Sequence, residues 1–170
     1  MWIAPVSLER ETRDVENVRI LSATSRIQLR EISQEDLDRS NEIFRLLEEN
    51  RPAFDKLDVS DKGYANKVRN LLKKWQVAPY EDVPIAAVQL DDLLFLTHPA
   101  ELFCEYQLDM KKKLGPKTVC VELTNGGICY VATKQGYLLK GYEMKQGFYD
   151  YHAGQKLQDD MMALAYQLGR

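Results

Sequence analysis

Only three cysteines, six prolines and nine glycines occur in the 170 residues, and no apolar run is long enough to cross a bilayer. Each scarcity removes a class of protein. Cys104, Cys120 and Cys129 are odd in number and show no C-x-x-C spacing, which speaks against a zinc knuckle or a disulfide scaffold and for reduced thiols packed in a core. The opening residues, MWIAPVSLERETRD, have neither a basic start nor a sustained apolar stretch, so they read as neither a secretion signal nor a membrane span. Positive charge is not in excess either. With 23 Lys and Arg against 26 Asp and Glu, the net charge of −3 provides no field to hold nucleic acid or an anionic membrane. Walker loops, G-x-G-x-x-G, G-x-S-x-G and H-E-x-x-H are all missing, as are internal repeats and low-complexity tracts.

What is present is material for one core. With 45% apolar residues, the chain is expected to form a single α/β domain spanning residues 1–170. The stretch from Val18 to Ile32 is β-branched and alternates in RIQLREI, predicting a strand or a bent pair of strands. Ser33 followed by Asp36 has the spacing of a capping box, and Leu37, Ile43, Phe44 and Leu47 then share a helical face. The segment RPAFDKLDVS interrupts this pattern, after which Tyr64, Val68, Leu71, Leu72 and Trp75 mark a second helix. Its other face carries Lys62, Lys67, Arg69, Lys73 and Lys74, a stripe read as solvated.

Asp91 and Asp92 separate two apolar runs, Ile85 to Leu90 and Leu93 to Thr97, which predicts an antiparallel hairpin. Near-continuous apolarity in both arms predicts a sheet covered on both faces. From Glu101 to Lys113 the register is helical, placing Glu101 in a first turn, where the helix dipole favours negative charge. KKKLGP supplies the basic last turn, the glycine stop and the proline beyond it. Then KTVCVELTN predicts an interior strand with Val119, Val121 and Leu123 facing one way. GGICYVAT predicts another short extended piece, KQGYLLKGYE a helical turn or more, and Leu157, Met161, Leu164 and Leu168 a closing helix on the sheet. Strands interleaved with helices define an α/β layered domain with a mixed β-sheet flanked by helices.

Two places carry chemistry. A carboxylate at a strand end, Glu101, suits a metal ion, although a first-turn glutamate also stabilises a helix by about 0.3–1 kcal/mol with no further role. His98, three residues earlier, is a metal-ligand type, but Pro99 keeps the two from a shared helical face, and a lone histidine is more often a capping or hydrogen-bonded residue. In LTNGGICYVAT a strand stops at Asn125, two glycines allow a close backbone approach, and Tyr130 restarts the extended chain. A Gly-Gly turn and a core tyrosine explain the same letters.

Taken in order, THPAELFCEY, VELTNGGICYVATKQGY and KGYE, from about Leu93 to Glu143, resemble the neutral/alkaline non-lysosomal ceramidase family. The shared pattern is a hydrophobic strand ending in Pro-Gly-Glu, a helix, a strand ending in Asn, a short loop with Tyr then Thr, and a Tyr-Glu pair. The resemblance implies a zinc ion held by two histidines, a glutamate and a tyrosine, and cleavage of the amide of an N-acylated, ceramide-like lipid. By motif position it makes Glu101 and Tyr130 metal ligands, with Tyr130 also catalytic through the developing oxyanion. The motif glycine is Ala100 here, and the family's ligand histidines belong to a region upstream of anything in this chain. His98 and His152 do not match them. The resemblance therefore implies the C-terminal part of a longer enzyme, inactive alone, that docks to the missing part or self-associates. A non-catalytic binding or structural domain on the same scaffold is the alternative.

Overall fold

A computed structural model describes residues 14–139 and 141–170. Strand β1 (Val18–Gln28) leads to α1 (Gln34–Glu49), the short α2 (Arg51–Asp55) and α3 (Val59–Val77). Next come β2 (Tyr80–Leu90), β3 (Leu93–Thr97), β4 (Glu101–Leu102) and α4 (Cys104–Leu114). Then follow β5 (Thr118–Val121), β6 (Tyr130–Val131), α5 (Lys134–Leu139), α6 (Tyr142–Gln146) and α7 (Tyr151–Gln167). The main sheet has four strands in the order β1-β2-β3-β5, the first three antiparallel and the last pair parallel, while β4 and β6 form a separate parallel pair. The expected α/β layered domain with a mixed sheet is the architecture found.

Local chemistry sets several boundaries. Ser33 caps α1 with its hydroxyl accepting from Asp36 N–H at 3.0 Å, and the Asp36 carboxylate accepts from Ser33 N–H at 2.9 Å, a complete capping box. The predicted break after α1 contains α2, and α3 starts earlier than the apolar pattern suggested, capped by Asp58 accepting from Asp61 N–H at 2.7 Å. Helix α7 is the organising element. Its Leu157, Met161, Leu164, Ala165 and Leu168 cap are buried against Ile27, Ile85, Ala87, Leu94 and Leu96 of the sheet. Burial of this kind contributes about 1.5–3 kcal/mol per large side chain.

Among the described residues the helices cover only one face of the sheet, contrary to the expectation of two covered faces. On the other face, register aligns Val18, Leu90 and Leu93 in one row, Ile20, Val88, Phe95 and Val119 in the next, and Ser22, Ala86, Thr97 and Val121 in a third. Val18 and Ile20 remain 59% and 62% exposed. Val119 and Val121 share a face, as expected, but β5 is an edge strand of the sheet and not an interior one. Thr118 is buried and Cys120 packs against the core, while Val119 is exposed and Leu123, also exposed, lies beyond the strand. A strand apolar on both sides has no intrinsic inward face, and α4, the helix packed on β5, decides it.

Candidate functional site

Glu101 does not open a helix. It lies in β4, and α4 begins at Cys104 after Phe103, which caps it without a side-chain bond, so the first-turn dipole argument fails. Strand β3 ends just before Pro99, which lacks an N–H, and the chain turns to pair with β6 instead. Ile128 N–H donates to Pro99 O, Glu101 N–H to Cys129 O and Phe103 N–H to Val131 O, each at 3.0–3.1 Å. In this parallel register Glu101 is the direct partner of Tyr130. The two predicted residues are thereby brought together.

The loop that delivers Tyr130 is unusual. Leu123, Asn125 and Cys129 have φ of 54°, 59° and 69°, a region that non-glycine residues enter at a cost. Gly126, at φ 137°, is the one glycine of the pair whose backbone requires glycine, and a Cβ there would reach the Pro99 side chain at 4.0 Å.

Tyr130 is half-buried, with its hydroxyl beside the Glu101 carboxylate. Interaction with that carboxylate, and then its charge, raise the phenol above its ordinary value, with smaller contributions from burial, Tyr142 and Glu143. The Tyr142 ring stands edge-on to Tyr130, centroids 6.0 Å apart. Glu122 is nearby. Burial raises its carboxyl, against the opposing hydrogen bonds from Gln107, at 2.5 Å, and from the Leu102 backbone, and with Glu101 adding repulsion. The arrangement is a solvent-reachable carboxylate–phenol pair with further carboxylates around it, suited to a cation or to donating a hydrogen bond from a phenol that stays protonated.

The two histidines lie elsewhere. His98 continues the buried alternation of Leu94 and Leu96 and is 0% exposed, with neither ring nitrogen hydrogen-bonded, in contrast to the satisfied histidine expected. Burial lowers it to about 4, offset only in part by the Ala100 backbone. His152 is exposed at the start of α7, 3.1 Å from Asp150. Among the described residues no group of three His, Cys, Asp or Glu side chains could hold a metal ion. Zinc takes at least three protein ligands in catalytic sites. One carboxylate and one phenol do not make that shell, so the described residues alone do not fit zinc.

Sequence reasoning missed one cavity altogether. A space of about 970 Å³ opens where α1, α3 and α6 meet, lined among others by Arg30, Asp36, Arg39, Asp61, Tyr64 and Tyr137, and by neither Glu101 nor Tyr130. At its wall Arg30, only 7% exposed, donates to Asp36 at 2.8 Å, and the Tyr64 hydroxyl donates to the other Asp36 oxygen. Burial and the Asp36 bond together push the Tyr64 phenol up. The capping-box Asp36 was the legible part of this cluster; its long-range partners left no sequence signal.

Fold and site together define an α/β layered domain bearing a paired glutamate and tyrosine at the ends of two short parallel strands. No family model and no curated protein matches the chain. Among solved structures it is similar to a neutral ceramidase from Pseudomonas aeruginosa, at 20% identity over 51% of this chain and 15% of that one, with a TM-score of 0.45. A ceramidase complexed with C2 gives 20% identity over 52% and 15%, again at 0.45. The chain thus spans about 15% of the length of the structures it matches. No helix among the described residues is long and apolar enough to cross a membrane.

Proposed function

We propose that this chain is the C-terminal portion of a ceramidase-like, zinc-dependent amidohydrolase, contributing Glu101 and Tyr130 to a site whose remaining donors come from outside these residues. The substrate class is a lipid-like N-acyl amide. The observation that carries the reading is the direct pairing of Glu101 with Tyr130 in β4–β6, which puts on one rim the two side chains that the sequence motifs single out. Tyr130, whose phenol is held above its ordinary value, turns its single O–H from Glu101 to the oxygen of the scissile carbonyl as negative charge develops there. Glu101 orients that phenol. By itself the chain is inactive, because two donors are half of a zinc shell.

The test uses the full-length protein: zinc content by elemental analysis and release of fatty acid from an N-acyl sphingoid amide. Glu101→Gln should lose metal and activity together, and Tyr130→Phe should lose activity by about 10²–10³, the usual cost of one oxyanion donor. Full zinc and full rate in Glu101→Gln reject the reading.

The uncovered sheet face favours a second, non-catalytic reading, in which this scaffold docks to another surface or self-associates through Val18, Ile20 and their row neighbours. Ile20→Lys then converts an associated species to a monomer in gel filtration, with metal content untouched. A wild-type chain that is monomeric at all concentrations counts against it.

A further inference from the structure

Lys67 lies in the basic stripe of α3 read as solvated, yet its ammonium has no carboxylate partner among the described residues. Its Nζ sits 2.8 Å from Cys129 Sγ and 4.5 Å from the centroid of the Phe148 ring. The spacing is that of an N–H···O bond, about 2.7–3.2 Å, although sulfur is the larger atom. A single oxygen bonded to both atoms spans such a gap. Two features hold the sulfur in place: the left-handed backbone of Cys129, at φ 69°, and the 3.1 Å bond its carbonyl accepts from Glu101. Cys129 is half-buried, so a small oxidant reaches it while a bulky thiol is hindered.

We propose that Lys67 and Cys129 form an oxidative modification site at which a peroxide builds a covalent Nζ–O–Sγ bridge. One peroxide transfers an oxygen to the thiol, giving a sulfenic acid and water, a two-electron oxidation of sulfur. A second peroxide oxidises the Lys67 nitrogen to a hydroxylamine, again releasing water. Condensation of the two joins nitrogen and sulfur through one oxygen and expels a third water. In sum, two peroxides are consumed, one oxygen is gained and two hydrogens are lost. The product ties α3 to the residue that precedes Tyr130, and it stands independently of the reading of Glu101 and Tyr130 as metal ligands.

The experiment exposes the full chain to hydrogen peroxide, then maps tryptic peptides by mass spectrometry. The expected product joins the Lys67 and Cys129 peptides at about 14 Da above their sum, against about 16 Da for a sulfenic acid on Cys129 alone, and dithiothreitol separates them. Lys67→Arg should abolish the joined product and leave Cys129 to climb to sulfinic acid. Cys104→Ser and Cys120→Ser should leave the joined product unchanged. Because the wild-type map decides by itself, a misfolded variant does not blunt the test. Cys129 oxidised with Lys67 unmodified, Cys129 in a disulfide, or Cys129 untouched while exposed Cys104 oxidises would each overturn the proposal.

Discussion

Glu101 and Tyr130 stand opposite each other as direct partners in a parallel pair of two-residue strands, with the phenol beside the carboxylate. Ionising Tyr130 therefore places two anions side by side. Its folded pKa lies above the ordinary 10.0, so the pair's contribution to stability is fully present below the ordinary value and is lost as pH rises through the raised one. In Glu101→Gln the Tyr130 phenol should titrate at lower pH than in the wild type, as followed by the Cζ signal of labelled tyrosine. An unmoved titration would mean that the two side chains do not touch in solution.

His98 makes a prediction of opposite pH sense. The ring is 0% exposed, without hydrogen bonds, and lowered from 6.5 to about 4. The unfolded chain therefore binds a proton between those values that the folded chain refuses. Stability from the neutral ring is present above 6.5 and lost as pH falls towards 4, about 2 kcal/mol of it between pH 7 and 5. Urea denaturation at the two pH values should show this loss in the wild type and a smaller one in His98→Leu. Equal losses in both proteins would clear His98 of any part in the acid sensitivity.

Asp36 serves a cap and a buried network at once. Its oxygens accept from Ser33 N–H, Arg30 and the Tyr64 hydroxyl. Burial by itself would raise its carboxyl, but the bonds from Tyr64, Arg30 and Ser33 outweigh it, and the folded value is lowered. Its contribution is present above the ordinary carboxylate range and lost as pH falls through the lowered value. Asp36→Ala leaves Arg30 buried without its partner and should cost about 3–5 kcal/mol, whereas Ser33→Ala, which removes only the hydroxyl cap, should cost about 1 kcal/mol. Thermal melts of the two variants separate these values, and equal small losses would show that the Arg30 charge finds another partner.

These residues also show which parts of the molecule could be read in advance. The Ser33–Asp36 box, β3 from Leu93 to Thr97 and the Leu157, Met161, Leu164, Leu168 stripe are local patterns, and the structure has all three. Glu101 was expected to open a helix and instead lies in β4, because a two-residue strand has no period of its own and exists only through its partner β6. The Arg30–Asp36–Tyr64 cluster and the Lys67–Cys129 contact join residues far apart in the chain, which spacing cannot reveal. The inward face of β5 was likewise undetermined within the strand, being set by α4 packed on it.

Gly154 in α7 gives a prediction in which helix propensity and packing oppose each other. Replacing a helical glycine with alanine ordinarily stabilises by about 0.8–1 kcal/mol. At Gly154, however, an added Cβ meets Tyr106 Cε2 and Cζ at 2.5 Å and its hydroxyl oxygen at 2.6 Å. The Tyr106 ring is itself nearly buried, with its hydroxyl bonded to Ala132 O at 3.3 Å, so it has little room to retreat. Overpacking of this kind costs about 1–3 kcal/mol and exceeds the propensity gain, so Gly154→Ala should lower stability and loosen the contact between α4 and α7. Tyr106→Phe should not rescue it, since the ring carbons remain. Tyr106→Leu removes the opposing atoms, and in that background Gly154→Ala should become neutral or stabilising. Denaturant midpoints for the four proteins close a double-mutant cycle, and additive effects would show that the α4–α7 packing is looser than the geometry requires.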